Sequence, residues 1–82
     1  MPKDYVITAP LSGVFYRRPS PEGEPFAEIG KRVEEEMICC IVETMKVFND
    51  VRSEKSGVVK EILVEDEDMV IVNQPLMIIE PD

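Results

Sequence analysis

The sequence predicts an all-β fold, a sandwich or flattened barrel made of two equivalent halves, and three observations carry that prediction. No segment sustains apolar residues at i, i+3, i+4 and i+7 over ten residues, whereas short runs rich in Val, Ile, Tyr and Phe recur between turn residues. The chain also repeats itself: Ser12-Gly13-Val14 returns as Ser56-Gly57-Val58 at an offset of 44, and Val33 to Glu43 returns as Val70 to Glu80 at an offset of 37. The composition, 44% hydrophobic with only 6% aromatic, suits a small core of packed aliphatic side chains. Two copies of one supersecondary unit, related by a pseudo-symmetry axis, can bury against each other the apolar face that neither buries alone.

The strands follow in order. Tyr5-Val6-Ile7-Thr8 is a β-rich run closed by Ala9-Pro10, and Gly13 to Tyr16 is a second, ended by Arg17-Arg18-Pro19. Met37 to Val42 is apolar enough for a buried strand. Val47 to Val51 alternates, with Val47, Asn49 and Val51 on one face and Phe48 and Asp50 on the other. Gly57 to Val64, Met69 to Val72 and Leu76 to Ile79 complete the set. Gly13 and Gly57 open equivalent strands, where a Cβ would forbid close backbone approach. Gly30 marks a turn before Val33, and Asn73-Gln74-Pro75 breaks the chain before the last strand. Glu34-Glu35-Glu36 falls where a hairpin is expected, yet supplies no Gly, Asn or Pro to name the turn.

The two offsets differ by seven residues, a surplus that falls in the first half between Arg17 and Phe26. That stretch holds Pro19-Ser20-Pro21-Glu22-Gly23-Glu24-Pro25, whose three prolines and one glycine make a stiffened loop rather than a strand. Residues 17–26 therefore read as an insertion projecting from one side, either functional or a surface decoration.

Residues 1–82 are expected to form one domain. The formal net charge of −8 argues against nucleic acid and anionic membrane surfaces as partners, since both call for clustered Lys and Arg. Glu34-Glu35-Glu36 and Glu65-Asp66-Glu67-Asp68 concentrate the negative charge, as solvated turns or as docking elements for a basic partner. No apolar run approaches the ~18 residues of a transmembrane helix. The start, Met1-Pro2-Lys3-Asp4, lacks a basic-then-apolar leader pattern, so the default expectation is a cytoplasmic location.

The chain has no histidine, which removes the usual general base and the commonest metal ligand, and its four glycines are too scattered for a phosphate loop. No catalytic residue and no metal site are expected. Cys39 and Cys40, adjacent and without a C-x-x-C spacing, are expected to point to opposite faces of a strand as reduced packing residues. Lys46 is different. It lies in Glu43-Thr44-Met45-Lys46-Val47, on the connection between the halves, which the symmetry is expected to place on the axis, exposed at one end. An ε-amine lifted on a tight β-turn and flanked by Met45 and Val47 is a nucleophile that another enzyme can acylate.

Glu43-Thr44-Met45-Lys46-Val47 resembles the E-A-M-K-M motif of biotinyl domains, in which biotin protein ligase joins the central lysine to biotin. Ala9 to Arg17, Pro19-Ser20-Pro21, Phe26 to Val33, Lys55 to Glu65 and Gln74-Pro75-Leu76 are similar to the biotin carboxyl carrier proteins of bacterial and plastid acetyl-CoA carboxylase, a likeness that covers roughly residues 7–80. The resemblance implies a flattened barrel of two four-stranded antiparallel sheets. It implies covalent biotin on Lys46, with Glu43, Thr44, Met45 and Val47 flanking it. It implies a "thumb" loop, here Arg18, Pro19, Ser20, Pro21, Glu22 and Gly23, leaning toward the biotin. The implied function is a non-catalytic carrier that takes carboxybiotin from a biotin carboxylase to a carboxyltransferase for fatty acid synthesis, in the cytoplasm or a plastid. Thr44 and Val47 stand where that motif has alanine and methionine, Phe48 replaces a further methionine, and Glu67 stands where glycine is usual. A carrier for another acyl-CoA such as propionyl-CoA, a lipoyl carrier, and an unmodified interaction module are the alternatives. Lipoyl motifs place Asp before the lysine and Ala after it, unlike Met45 and Val47.

Overall fold

Residues 3–82 are described by the computed structural model; Met1 and Pro2, which entered the leader reading, lie outside the described residues. The strands are β1 (Tyr5–Thr8), β2 (Gly13–Tyr16), β3 (Arg32–Val33), β4 (Ile38–Thr44), β5 (Val47–Arg52), β6 (Gly57–Ile62), β7 (Met69–Val70) and β8 (Pro75–Pro81). They form two four-stranded antiparallel sheets, ordered β1-β8-β6-β3 and β5-β4-β2-β7, in a body of 40 × 27 × 20 Å. Moving every strand four places along the chain turns one order into the other, so the repeat in the sequence is a pseudo-twofold in space.

The symmetry reaches individual atoms. A Cβ on Gly13 would lie 2.3 Å from the Glu43 carbonyl oxygen, and one on Gly57 would lie 2.3 Å from that of Glu80. Four turns, Glu28–Lys31, Glu34–Met37, Glu65–Asp68 and Ile71–Gln74, are each closed by a 3.0 Å bond from the fourth N–H to the first carbonyl. Their third residues, Gly30, Glu36, Glu67 and Asn73, have φ of 86°, 73°, 71° and 70°, the signature of type II turns. That names the turn at Glu34–Glu36, where composition offered no turn residue.

The pairing also corrects the expectation for the cysteines. The β4–β5 register passes from Ile38 to Cys40, leaving Cys39 as a bulge, and both cysteines are fully buried instead of facing opposite ways. Leu76, the counterpart of Cys39, is skipped in the same way between Pro75 and Met77 opposite β1, and Leu76 and Met77 are both buried. With Ile7, Phe15, Val33, Val42, Val59, Val70 and Ile79 they fill the space between the sheets. A fully buried side chain of this size contributes about 1.5–3 kcal/mol.

Several strand bounds differ from expectation, β4 and β5 among them by one or two residues at their ends. β3, with Val33 as its only apolar residue, is too short to show a period in sequence. β6 and β7 end at Ile62 and Val70, short of Val64 and Val72, because a bend at Val64 and the Ile71–Gln74 turn follow them. β8 extends over Pro75–Pro81. The expected position of the Lys46 connection on the axis is also corrected. The operation that carries β4 and β5 onto β8 and β1 moves the hairpin to the other sheet, so the turn stands off the axis at one sheet's end.

Candidate functional site

Met45 and Lys46 are the two central residues of the β4–β5 hairpin, between the paired Thr44 and Val47, with φ of 50° and 65°. Positive φ at both positions is a type I′ turn, whose twist continues that of the flanking strands. Unbranched side chains tolerate this region better than Val, Ile or Thr would. The turn projects its side chains: Met45 is 91% exposed, and Lys46 is exposed with no ion pair among the described residues. Asn49 Nδ2 donates to the Val42 and Val47 carbonyls at 3.2 and 3.3 Å, bracing the base.

Glu43, half-buried on the outer face of β4, connects the turn to the sheet. One of its carboxylate oxygens accepts the Lys46 backbone N–H at 3.2 Å, and the other accepts the Tyr16 hydroxyl at 3.4 Å. Desolvation of the Tyr16 ring, with the Glu43 carboxylate beside it, pushes the phenol above its ordinary value. The Tyr16 and Phe48 rings lie 6.3 Å apart at 45°.

The 17–26 loop closes where β2 ends. The Arg17 carbonyl accepts the Phe26 N–H at 2.8 Å, and Asp66 Oδ1 accepts the Arg17 N–H at 2.8 Å. Within the loop the Gly23 N–H donates to the Ser20 carbonyl at 3.0 Å, and Arg18 Nη1 donates to the Gly23 carbonyl at 3.4 Å. The loop thereby walls a groove of about 540 Å3, lined by Arg18, Pro19, Ser20 and Pro21 on one side and by Tyr16, Ile41, Phe48, Asp66 and Glu67 on the other. Arg18 keeps a buried Nε–H with no acceptor.

Of the residues singled out in the sequence, Glu43, Thr44, Met45, Lys46 and Val47 share the hairpin, and Arg18 to Pro21 share the groove wall. Glu22 and Gly23 do not line it; they complete the turn behind that wall. Lys46 stands outside the groove, two residues before Phe48. Tyr16, Phe48 and Ile41 are functional candidates missed in the sequence. The alternation of β5 sets Phe48 on the face opposite Val51, but only the pairing of Tyr16 with Ile41, of Val14 with Glu43 and of Glu43 with Phe48 brings Tyr16 beside it. Cys39 and Cys40 stay apart from the site, and burial pushes their thiols up to about 11 and about 12. No group of three metal-ligating side chains occurs among the described residues, and no helix is long and apolar enough to cross a membrane.

The biotin/lipoyl family model, described as biotin-requiring enzyme, matches residues 5–79. The chain is 43% identical over 75 residues to the biotin carboxyl carrier protein of acetyl-CoA carboxylase 2, chloroplastic, of Arabidopsis thaliana, covering 92% of this chain and 29% of that protein. It is 43% identical over 76 residues to the biotin carboxyl carrier protein of acetyl-CoA carboxylase of Haemophilus influenzae, covering 93% of this chain and 49% of that protein. The chain thus spans less than half the length of these curated relatives. Among solved structures, urea carboxylase of Kluyveromyces lactis superposes with a TM-score of 0.78 at 28% identity, over 95% of this chain and 6% of that one.

Proposed function

This chain belongs to the biotin/lipoyl family of biotin-requiring enzymes, and from that premise we propose that it is a biotin carboxyl carrier unit, with residues 1–82 as one carrier domain and Lys46 as the residue joined to biotin. The observation that carries the reading is the exposed Lys46 at the tip of a braced type I′ hairpin. A turn held by Glu43 and Asn49 fixes the backbone and leaves the amine free for a ligase. Biotin attached there takes up a carboxyl group at one enzyme and gives it up at another, and the tether keeps it at high effective concentration near both.

The groove fits such a group. It is open, close to the hairpin, bounded by the Tyr16 and Phe48 rings, and has a buried Arg18 N–H free to meet an acceptor. Arg18, Pro19, Ser20 and Pro21 are the loop residues that would lie against it, with Glu22 and Gly23 shaping the loop behind them. The partners are a biotin protein ligase, a biotin carboxylase and a carboxyltransferase; the chain itself performs no chemistry. Acetyl-CoA is the favoured acceptor, supported by the names of the curated relatives. Bacterial and chloroplastic relatives support a cytoplasmic or plastid setting.

The test is intact mass after incubation with purified biotin protein ligase, biotin and ATP. The wild-type chain gains one biotinyl group and Lys46→Arg gains none. Incorporation of lipoyl by a lipoyl ligase, with none of biotin by its own, would move the chain to the lipoyl carriers.

A further inference from the structure

Outside the 17–26 loop, the pseudo-twofold gives surface positions in one half a counterpart in the other, which separates what the fold requires from what it does not. On the outer face of β5-β4-β2-β7, one row of side chains crosses the sheet as Met69, Val14, Glu43 and Phe48. The counterpart row on the other sheet is Arg32, Val58, Glu80 and Asp4. Met69 and Phe48 are 74% and 63% exposed at positions where the other half carries charge. Ile71 and Val72, also exposed, occupy the positions of Glu34 and Glu35 in turns closed by the same hydrogen bond. The Tyr16–Phe48 ring pair stands where the other half has the 2.9 Å Lys60–Asp4 ion pair. The barrel therefore accepts charge at all these places, and the apolar residues exposed there, more so at Phe48 and Met69 than Val58 and Val6 on the opposite sheet at 39% and 41%, mark a surface kept for contact.

We propose that this face, from Phe48 at the base of the hairpin across Val14 to Met69, Ile71 and Val72, is the docking surface for the ligase that modifies Lys46, met by an apolar ligase patch with a Lys/Arg rim. The inference rests on the carrier reading of Lys46. The turn is too small to be recognised by itself, since a specific interface buries about 800 Å2 on each partner, and the apolar row is the surface that continues from it. The rim is acidic: exposed Glu65, Asp66, Glu67 and Asp68 immediately precede Met69, and Glu43 lies within the row. Together with the net charge of −8 this attracts a basic partner and repels a second copy of the chain.

The experiment installs the other half's residues: Met69→Arg, Ile71→Glu and Val72→Glu together, and separately Phe48→Asp, with Val58→Lys on the opposite sheet as control. Biotin transfer by purified ligase is followed by intact mass at graded protein concentration and salt, with circular dichroism to confirm folding. The expected result is a fall of about tenfold in kcat/KM for the triple and Phe48 variants, carried by KM, with no change for Val58→Lys and a wild-type kcat/KM that declines as salt rises. If the triple variant does not fold, the Phe48 variant decides alone. Unchanged kcat/KM in the folded variants, with wild-type incorporation intact, overturns the docking face and leaves the carrier reading standing. No incorporation into the wild type at any ligase concentration overturns the carrier reading, and the docking face with it. A wild-type dimer in sedimentation that these substitutions dissolve assigns the face to a second copy and likewise overturns the proposal.

Discussion

Glu43 and Lys46 are tied together across the hairpin by a 3.2 Å bond in which the Glu43 carboxylate accepts the Lys46 backbone N–H and leaves the ε-amine free. The same carboxylate receives the Tyr16 hydroxyl, so one acidic side chain joins the turn, the outer face of the sheet and the groove. Rigidity at the backbone and freedom at the amine are what a presented attachment point needs.

Removing that tie should loosen the turn. Glu43→Ala leaves the Lys46 N–H to solvent and is expected to lower stability by about 0.5–1.5 kcal/mol in urea unfolding. Amide exchange at Lys46 should quicken at the same time. Glu43→Gln keeps an acceptor and should lie between the two.

Glu36 and Glu67 sit at φ of 73° and 71°, where an L side chain is strained and glycine is not. Each replaced by glycine should stabilise the protein by about 0.5–1 kcal/mol, the relief of strain exceeding the added entropy of the unfolded chain. A rise in urea midpoint at constant slope checks this. A fall would mean that the carboxylates themselves hold the turns.

Gly13→Ala and Gly57→Ala drive a methyl group into the Glu43 and Glu80 carbonyls. Strands must separate to admit it, at about 1–3 kcal/mol each by analogy with overpacked cores. The two effects should be similar in size, because the two sites are copies. Thermal melts of the single variants measure both.

The thiols of Cys39 and Cys40 are raised by burial from 9.0 to about 11 and about 12, with the neighbouring Cys39 adding to the shift at Cys40. Folding therefore favours the neutral form. That contribution is complete below the unfolded value near pH 9 and is lost as pH climbs toward about 11 and 12. Stability should fall across this alkaline range, and less so in a Cys39→Ala, Cys40→Val variant. In the native protein at pH 8 a thiol reagent should react only through unfolding.

The 17–26 loop has almost no counterpart beyond Ile62 in the second half. Replacing residues 18–25 by one residue should leave the barrel folded, with stability changed by no more than about 1 kcal/mol. Circular dichroism and a urea titration test this. Loss of the fold would show that the loop supports the sheet beneath it.

Much of the architecture is legible in the sequence. The repeat Ser12-Gly13-Val14 and Ser56-Gly57-Val58 marks β2 and β6, and Val33–Glu43 against Val70–Glu80 marks β3–β4 and β7–β8. β3 carries no strand signal of its own, because two residues hold no period. The facing of Cys39 and Cys40 is not legible in the sequence, because a bulge suspends the alternation on which facing is read and leaves no mark in composition. The hairpin stands off the axis because the symmetry operation relates the junction of the two copies to the chain ends and not to itself.

The sequence by itself determined the duplicated all-β plan and the placement of Lys46 between the copies, because repetition, alternation and breaker residues are local signals carried by neighbours along the chain. The tertiary structure alone decided that Tyr16 meets Phe48, that Glu43 reaches the Lys46 amide, and that the loop walls a groove beside them. Those relations depend on strand register and on which sheet each strand joins. Register is set by burial of the whole core at once, and a slip of one residue would turn every one of these side chains to the other face.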